Sequence, residues 1–304
     1  MKTRFRNSLF FGTALICFTL ISADCFRANA EPRHDDDSSM PLREQETIHK
    51  SFPGTHKLLA VDNIFGSIEV VGSQSDQVEI VVTKTLRAES KERMEAAKKE
   101  VTLDVTDQPD LLKLYVNGPF RCNCDCDGGC GRDCGRHGDQ GYQVKYDFQI
   151  RVPSNIDLKL KTVNSGRIDV RDVIGSFSVN NVNGGIEMED VGGGAARART
   201  VNGGVKVVFR ENPKENSEFG TINGPVELTF LRNLSADFRF KTFNGRIYTD
   251  FSMTTLPPQP ARTENQGGKF IYKSDRYTGL RVGAGGLEIK ADNLNGDIRV
   301  LERQ

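Results

Sequence analysis

The sequence predicts an all-β chain, and more closely a single-stranded β-solenoid with coils of about 20 residues, one short helix and a cysteine-rich loop insert. Three observations lead to this fold class. A four-residue pattern ending in Asn-Gly recurs at nearly constant spacing. Most copies are followed by a stretch with apolar residues at every second position, which is typical of β-strands. All five cysteines after residue 30 fall within 13 residues, between two predicted strands.

The recurring pattern is Thr or Asn, an apolar residue, Asn, and then Gly or, once, Ser. Its six copies begin at residues 162, 181, 200, 221, 242 and 293, so their asparagines are 19, 19, 21, 21 and 51 residues apart. The last interval equals one repeat plus an excursion of about thirty residues. Regular spacing of this kind indicates repeated structural units. The predicted turn residues are Asn164, Asn183, Gly184, Asn202, Gly203, Asn223, Gly224, Asn244, Gly245, Asn295 and Gly296.

After the turns, one parity of residues is apolar and the other is mostly charged. The apolar parity contains Ile168, Val170, Ile186, Met188, Val205, Val207, Val226, Leu228, Ile298 and Val300. The opposite parity contains Asp169, Glu187, Lys206, Glu227, Tyr248 and Arg299. Weaker strands lie between the turns, so each repeat predicts two short strands and two turns, with an apolar stripe to bury.

Asn-Gly is also a strong signal for β-hairpins. An antiparallel meander, however, does not require the same register every 19–21 residues, whereas stacked coils do. Gly at the corner permits positive φ, and Asn tolerates the left-handed region nearby. The asparagines are interpreted either as a hydrogen-bonded ladder or simply as turn residues. A bent β-sandwich remains the alternative fold.

The N-terminal half predicts a less regular part of the same body. Phe65-Gly66 begins a degenerate copy of the turn and strand. Residues 90–100 are rich in helix formers, and we expect an exposed helix packed through Met94 and Ala97, with Glu95 and Lys99 at i,i+4 spacing.

The first 30 residues have the features of a secretory signal peptide: a basic start, an apolar run and a small-x-small site at 28–30. The predicted organisation is signal peptide 1–30, disordered polar leader 31–57, and β-solenoid 58–304 with the cysteine-rich insert at 119–141. Cleavage would leave 37 basic and 40 acidic residues, a net charge of about −3, which does not favour a polyanion partner. We therefore expect an exported protein, in the periplasm or at the cell surface, with no transmembrane segment in the mature chain.

The serial T-V-N-G-x-I-x-V pattern resembles a bacterial family of exported β-solenoid domains known as putative adhesins. Further matching features are Val152-Pro153-Ser154-Asn155 before the first coil and Gly285-Gly286-Leu287 before the last Asn-Gly. The resemblance covers roughly residues 58–304, interrupted by the cysteine-rich insert. It implies a β-solenoid outside the cytoplasm, and it implies no catalytic residues.

The cysteine-rich insert contains the most reactive side chains of the predicted mature chain. The candidate ligands are Cys122, Cys124, Cys126, Cys130, Cys134 and His137. Cysteines of an exported protein normally form disulfides, so we expect two bridges and one remaining thiol. Zinc or copper(I) bound by the thiolates with His137 is the alternative, although the C-x-C-x-C-x3-C-x3-C spacing differs from the paired C-x2-C of structural zinc sites. No other cofactor is expected.

Three functions compete: a non-enzymatic, adhesin-like envelope interaction or structural protein, a metal-binding or thiol-redox protein acting through the insert, and a polysaccharide-active β-helix enzyme. No histidine lies in the repeat region, so general acid–base chemistry there would rest on carboxylates such as Asp169, Glu187, Glu189 and Asp190. We interpret these carboxylates as a solvated face. We place Phe209, Phe230, Phe238, Phe240 and Phe243 in the core. The first function is therefore preferred, with an unknown envelope protein or polysaccharide as partner and no nucleic acid.

Overall fold

The structure is a computed structural model and describes residues 40–121, 140–258, 262–266, 269–273 and 277–304. Over these residues the chain is all-β with one helix, α1 (Lys91–Glu100). The strands of the first half are β1 (Leu42–Pro53), β2 (Leu58–Asp62), β3 (Ile68–Ser73), β4 (Gln77–Ala88), β5 (Thr102–Gln108), β6 (Leu111–Asn117), β7 (Tyr142–Pro153), β8 (Asp157–Lys161), β9 (Ile168–Arg171), β10 (Ile174–Asn180) and β11 (Ile186–Arg199). Those of the second half are β12 (Val205–Phe209), β13 (Ser217–Asn223), β14 (Val226–Phe230), β15 (Ala236–Asn244), β16 (Ile247–Thr249), β17 (Met253–Thr255), β18 (Arg262–Gln266), β19 (Lys269–Lys273), β20 (Thr278–Val282), β21 (Leu287–Asn295) and β22 (Ile298–Glu302).

Twenty strands form one continuous sheet, and β18 and β19 form a separate hairpin. The large sheet contains two ladders of parallel strands that share β11. The first ladder runs β7, β3, β9, β11, β12, β14, β22 and β16. The second runs β6, β2, β8, β10, β11, β13, β21 and β15. Each predicted repeat supplies one strand to each ladder, and its Asn turn, called here the corner, connects the two.

The core lies between the two ladders. Phe209 of the first ladder meets Phe219 of the second edge-on, with ring centroids 6.2 Å apart, and Phe230 meets Phe238 in the same way at 5.9 Å. Phe209, Phe230, Phe238 and Phe240 are buried, as the sequence predicts. Such rings add specific packing energy to the burial of the aliphatic stripe.

The spatial order of the repeats differs from their order in the chain. Strands β21 and β22, from the last copy of the pattern, lie between the copy at 221 and the copy at 242. The sequence predicts that the last interval is one repeat plus an excursion, and the length of the interval agrees. After the excursion, however, the chain returns and places its last repeat between the copies at 221 and 242, not beyond the copy at 242. On the other side of β15, β20 pairs antiparallel with it, and β17 pairs antiparallel with β20.

The prediction of a disordered leader over residues 31–57 is wrong for residues 42–53. This segment is β1, which pairs antiparallel with β4 from Leu42 to Pro53. The physical reason is that Leu42, Ile48 and Phe52 pack against the core although polar residues separate them.

Helix α1 lies where the sequence predicts it. The Ser90 side chain accepts a hydrogen bond from the Arg93 backbone N–H at 3.3 Å, which caps the N-terminus. Met94 and Ala97 are buried. The partner of Glu95 is Lys98 at 2.8 Å rather than the predicted Lys99, and Lys98 also binds Glu44 of β1 at 2.9 Å. The helix is therefore tied to the edge strand.

Candidate binding groove along the asparagine corner

Each of the four positions of the corner has its own structural role. The third position forms a ladder of side-chain hydrogen bonds, in which each Asn amide donates to the Asn carbonyl oxygen of a neighbouring repeat. The donor–acceptor pairs are Asn183–Asn164 at 2.6 Å, Asn202–Asn183 at 2.8 Å, Asn223–Asn202 at 2.9 Å, Asn295–Asn223 at 2.8 Å and Asn244–Asn295 at 2.8 Å. Of the two interpretations of these asparagines, the geometry favours the ladder.

The first position, Thr or Asn, ties adjacent repeats together from the inside. Its side chain donates to a glycine carbonyl of the neighbouring repeat, as in Thr200 to Gly184 at 2.8 Å and Thr221 to Gly203 at 2.8 Å. Asn293 makes the equivalent bond to Gly224 at 2.7 Å. These side chains are buried, so each bond also satisfies a carbonyl that would otherwise lie unpaired.

The fourth position needs glycine because the backbones of stacked corners approach closely. A Cβ on Gly224 would lie 2.2 Å from the Gly203 carbonyl oxygen, and its φ of 148° is one that other residues rarely adopt. The Asn164 repeat has Ser165 at this position, with φ 55°. There Gly166 makes the close approach instead, to the Gly66 carbonyl.

The second position points to solvent and forms a row that we call the corner ridge. In spatial order its residues are Ile64, Val163, Val182, Val201, Ile222, Leu294 and Phe243. The first four are half-buried, whereas Ile222 is 44% exposed, Leu294 45% and Phe243 79%. Among the residues that the structure describes, three of the four exposed large hydrophobic side chains therefore lie on this ridge.

The prediction that Phe243 belongs to the core is wrong. Side chains alternate along β15, so Phe238 and Phe240 point inward, Thr242 points to the neighbouring corner and Phe243 points out. The period-two rule applied to this strand would have placed Phe243 outside; residue type alone placed it inside.

A groove of about 490 Å³ runs beside the ridge, across several repeats. Its floor is the outer face of the second ladder, where the residue that precedes each corner stands in one row. From the groove this row contributes Asn180, Arg199, Gly220, Asp292 and Lys241. The ridge residues Val182, Val201, Ile222 and Leu294 form the apolar wall.

Gly220 shapes the middle of the groove. Because it has no side chain, Asp292 lies over it, and a Cβ there would be 2.0 Å from Asp292 Oδ1. Arg199 reaches across this gap to Asp292 at 3.4 Å and also binds Glu218. The Arg199 guanidinium thus bridges two carboxylates: Asp292, which lines the groove, and Glu218, which does not.

The pKa directions in the groove follow from partial burial and from this cluster. Burial raises the pKa of Asp292, Arg199 opposes the shift and Glu218 adds to it. Burial alone would lower the pKa of Arg199, but Asp292 and Glu218 raise it above its usual value. The Tyr277 ring centroid lies 5.6 Å from Lys241 Nζ, and burial, with the charge of Asp292, raises the pKa of Tyr277.

Sequence reasoning missed Arg199, Gly220, Asp292 and Lys241. A usable signal exists, because each of them immediately precedes the Thr or Asn of a corner. Aligning the repeats one residue further toward the N-terminus would have shown a single outward row. The mixture of residue types in this row conceals it from a search for periodic charge or hydrophobicity.

The carboxylates considered in the sequence lie on the outer face of the first ladder, and each has a cationic partner. Glu187 binds Lys206 at 2.8 Å, Asp169 binds Arg167 at 2.7 Å and Asp190 binds Arg303 at 2.7 Å. Glu189 is 3.5 Å from Lys206 and 3.9 Å from Arg171. The bond from Lys206 lowers the pKa of Glu187, and burial raises that of Asp169, whose Oδ1 has no hydrogen-bond partner among the described residues.

The candidate metal ligands of the insert, Cys122, Cys124, Cys126, Cys130, Cys134 and His137, lie outside the described residues. Within the described parts of the chain, no group of three or more His, Cys, Asp or Glu side chains could hold a metal ion. Nor is any described helix long and apolar enough to span a bilayer.

No family model matches this sequence. No curated protein matches it either. Among solved structures, the chain is similar to one described as a putative cell adhesion protein from Clostridium sporogenes, at 10% identity and a TM-score of 0.39, with 86% of this chain and 100% of that chain covered. It is also similar to one described as a putative adhesin from Bacteroides fragilis, at 10% identity and a TM-score of 0.31, over 85% of this chain and 97% of that chain. A third, described as a putative lipid binding protein from Parabacteroides distasonis, has 11% identity and a TM-score of 0.27, over 85% and 96%.

Proposed function

We propose that residues 58–304 form a β-solenoid and that the chain is an exported, non-enzymatic, adhesin-like protein that binds an envelope partner through the corner groove. The fold proposal is supported by the parallel pairing of each repeat with its neighbour in both ladders and by the asparagine ladder. The proposal of export, with a signal peptide over residues 1–30 and a location in the periplasm or at the surface, is supported by the sequence features of that segment.

The observation that supports binding most strongly is the exposure of the corner ridge. Contiguous exposed apolar side chains cost solubility, and on soluble proteins they mark interaction sites. Ile222, Leu294 and Phe243 occupy neighbouring repeats and grow in exposure toward the end of the stack. They stabilise little of the fold from this position, so a binding role explains their size.

The test is co-sedimentation of the purified protein with envelope fractions of the source bacterium. We expect the double variant Leu294→Ser/Phe243→Ser to bind at least tenfold more weakly, with an unchanged thermal midpoint. The matched control is Tyr248→Ser, which removes a side chain that is 43% exposed but lies on the first ladder, beside Arg299. Equal binding by wild type and the double variant would refute the role of the groove.

The cysteine insert enters this proposal as a structural loop with two disulfides and one thiol. Mass spectrometry of the exported protein should then show the loss of four hydrogens relative to the fully reduced chain, because each disulfide removes two. Five free thiols with one bound zinc ion would instead favour the metal-binding function through Cys122, Cys124, Cys126, Cys130, Cys134 and His137.

A further inference from the structure

We propose that the occupant of the corner groove is an extended, β-linked polysaccharide chain that lies along the stack of repeats. This inference rests on the proposed function, since it names the partner class of the same groove. Its sugar faces would pack on Ile222, Leu294 and Phe243, and its hydroxyl groups would bond to Asn180, Arg199 and Asp292.

The direction of the groove is the first reason for a polysaccharide. A polypeptide that adds to a sheet runs parallel to the strands and pairs with the free backbone of an edge strand. The groove instead crosses the strands, from the Asn180 repeat to the Lys241 repeat. Backbone pairing of the usual kind is therefore impossible there.

The corner backbone is the second reason, because it is already bonded between repeats. The Asn202 N–H donates to the Val182 carbonyl and the Asn223 N–H to the Val201 carbonyl, each at 2.8 Å. The Gly203 N–H donates to the Asn223 carbonyl at 2.8 Å. Recognition must rely on side chains, which suits a polymer with many hydroxyl groups better than an extended peptide.

The spacing of the repeats is the third reason. Neighbouring strands are about 4.8 Å apart, whereas side chains on one face of an extended peptide recur about every 6.7 Å. The advance per residue of an extended β-linked pyranose chain is close to the strand spacing. Successive sugar rings would therefore lie beside successive ridge residues, with alternate rings turned over.

The chemistry of the groove matches a sugar chain on both sides. One wall offers the apolar side chains of the ridge up to Leu294, which Phe243 continues on the adjacent strand beyond the groove lining, and the floor offers amide, guanidinium and carboxylate groups. The chain has no tryptophan, and its sequence alone disfavours a sugar-stacking surface. The exposure of Phe243 supplies the aromatic platform that the sequence interpretation had placed in the core.

The test is affinity electrophoresis of the whole exported protein with three soluble probes. Hydroxyethyl cellulose and carboxymethyl cellulose are extended β-linked pyranose chains, the first neutral and the second acidic, and dextran is a flexible α-linked control. We expect retardation by at least one of the two extended probes and none by dextran. Retardation by dextran as strong as by the extended probes would contradict the spacing argument.

Variants link the retardation to the groove. Leu294→Ser/Phe243→Ser should weaken binding to the retarding probe at least tenfold, Asp292→Asn about threefold to tenfold, and Tyr248→Ser not at all. If neither extended probe retards the protein, the polysaccharide inference is overturned. The proposed function is tested separately by envelope binding. If that binding needs the ridge and is abolished by protease treatment of the envelope, the partner in the same groove is a protein.

Discussion

The outer face of the first ladder and the corner differ in how their exposed side chains are partnered. On the face, charged side chains of adjacent repeats neutralise one another, as in Lys206 with Glu187 at 2.8 Å and Arg299 with Glu227 at 3.7 Å. At the corner, stability comes from glycine, asparagine and threonine, and the second position has no such partner. The same repeat thus separates residues that hold the stack together from residues that are free to vary for binding.

The largest effect is expected where the corners touch. Gly224→Ala places a Cβ 2.2 Å from a backbone oxygen and imposes a φ of 148° on alanine, so we expect a loss of more than about 3 kcal/mol in the free energy of unfolding. Chemical denaturation measures it.

Gly286→Ala is the matched control, because Gly286 has a φ of 127° but nothing within 4 Å of the added Cβ. It should cost about 1–2 kcal/mol, from backbone strain alone. If the two variants lose equal stability, close stacking of the corners is not what requires glycine at position 224.

A smaller effect is expected from the asparagine ladder. Asn202 is bonded on both sides, to Asn183 at 2.8 Å and to Asn223 at 2.9 Å, whereas Asn244 at the end of the ladder has one such bond, to Asn295. Asn202→Ala should cost about 1–2 kcal/mol and Asn244→Ala about half as much, since a net hydrogen bond contributes about 1 kcal/mol. If the two variants lose the same free energy of unfolding, or none, these asparagines act only as turn residues.

The smallest effects are expected on the outer face, and they have opposite signs for two adjacent carboxylates. The pKa of Glu187 is lowered in the folded state by Lys206, so its contribution is present above the unfolded pKa and is lost as pH falls through the folded one. Glu187→Gln should destabilise by about 0–1 kcal/mol at pH 7, because the pair is partly exposed, and the difference should vanish in acid.

Asp169 should behave in the opposite way. Burial raises its pKa in the folded state, so its ionisation opposes folding above the unfolded pKa, and this penalty disappears as pH falls below it. Asp169→Asn should therefore be neutral or stabilising by up to about 1 kcal/mol at pH 7, with the gain shrinking in acid. Stability measured from pH 7 to pH 3 for both variants checks the two signs, and effects of the same sign would contradict the pairing of Glu187 or the burial of Asp169 described above.

Local patterns predicted the elements whose causes are local. The Asn corners, the period-two strands after them and helix α1 each depend on residues close in sequence. Strand β1 was missed because its polar residues hide the three apolar ones, and because Glu44 finds its partner Lys98 only through the tertiary fold.

The spatial order of the repeats and the groove depend on contacts that no local pattern contains. The last repeat pairs with strands 72 and 51 residues away, from Asn295 to Asn223 and to Asn244, and every copy of the pattern could have formed such pairs. The groove needs Arg199, Gly220 and Asp292 in adjacent repeats, which becomes visible only once that order is known.

The most direct test of the stacked corners is disulfide cross-linking at the second position. Ile222 and Leu294 lie in register on adjacent strands, between the pairs Thr221–Asn293 and Asn223–Asn295, which suits a disulfide's Cα separation of about 4.4–6.8 Å. Ile222 and Phe243 are separated by the intervening repeat. After mild oxidation and peptide mapping, Ile222→Cys/Leu294→Cys should cross-link and Ile222→Cys/Phe243→Cys should not. The reverse result would mean that the repeats stack in chain order, and would contradict the ridge and groove described above.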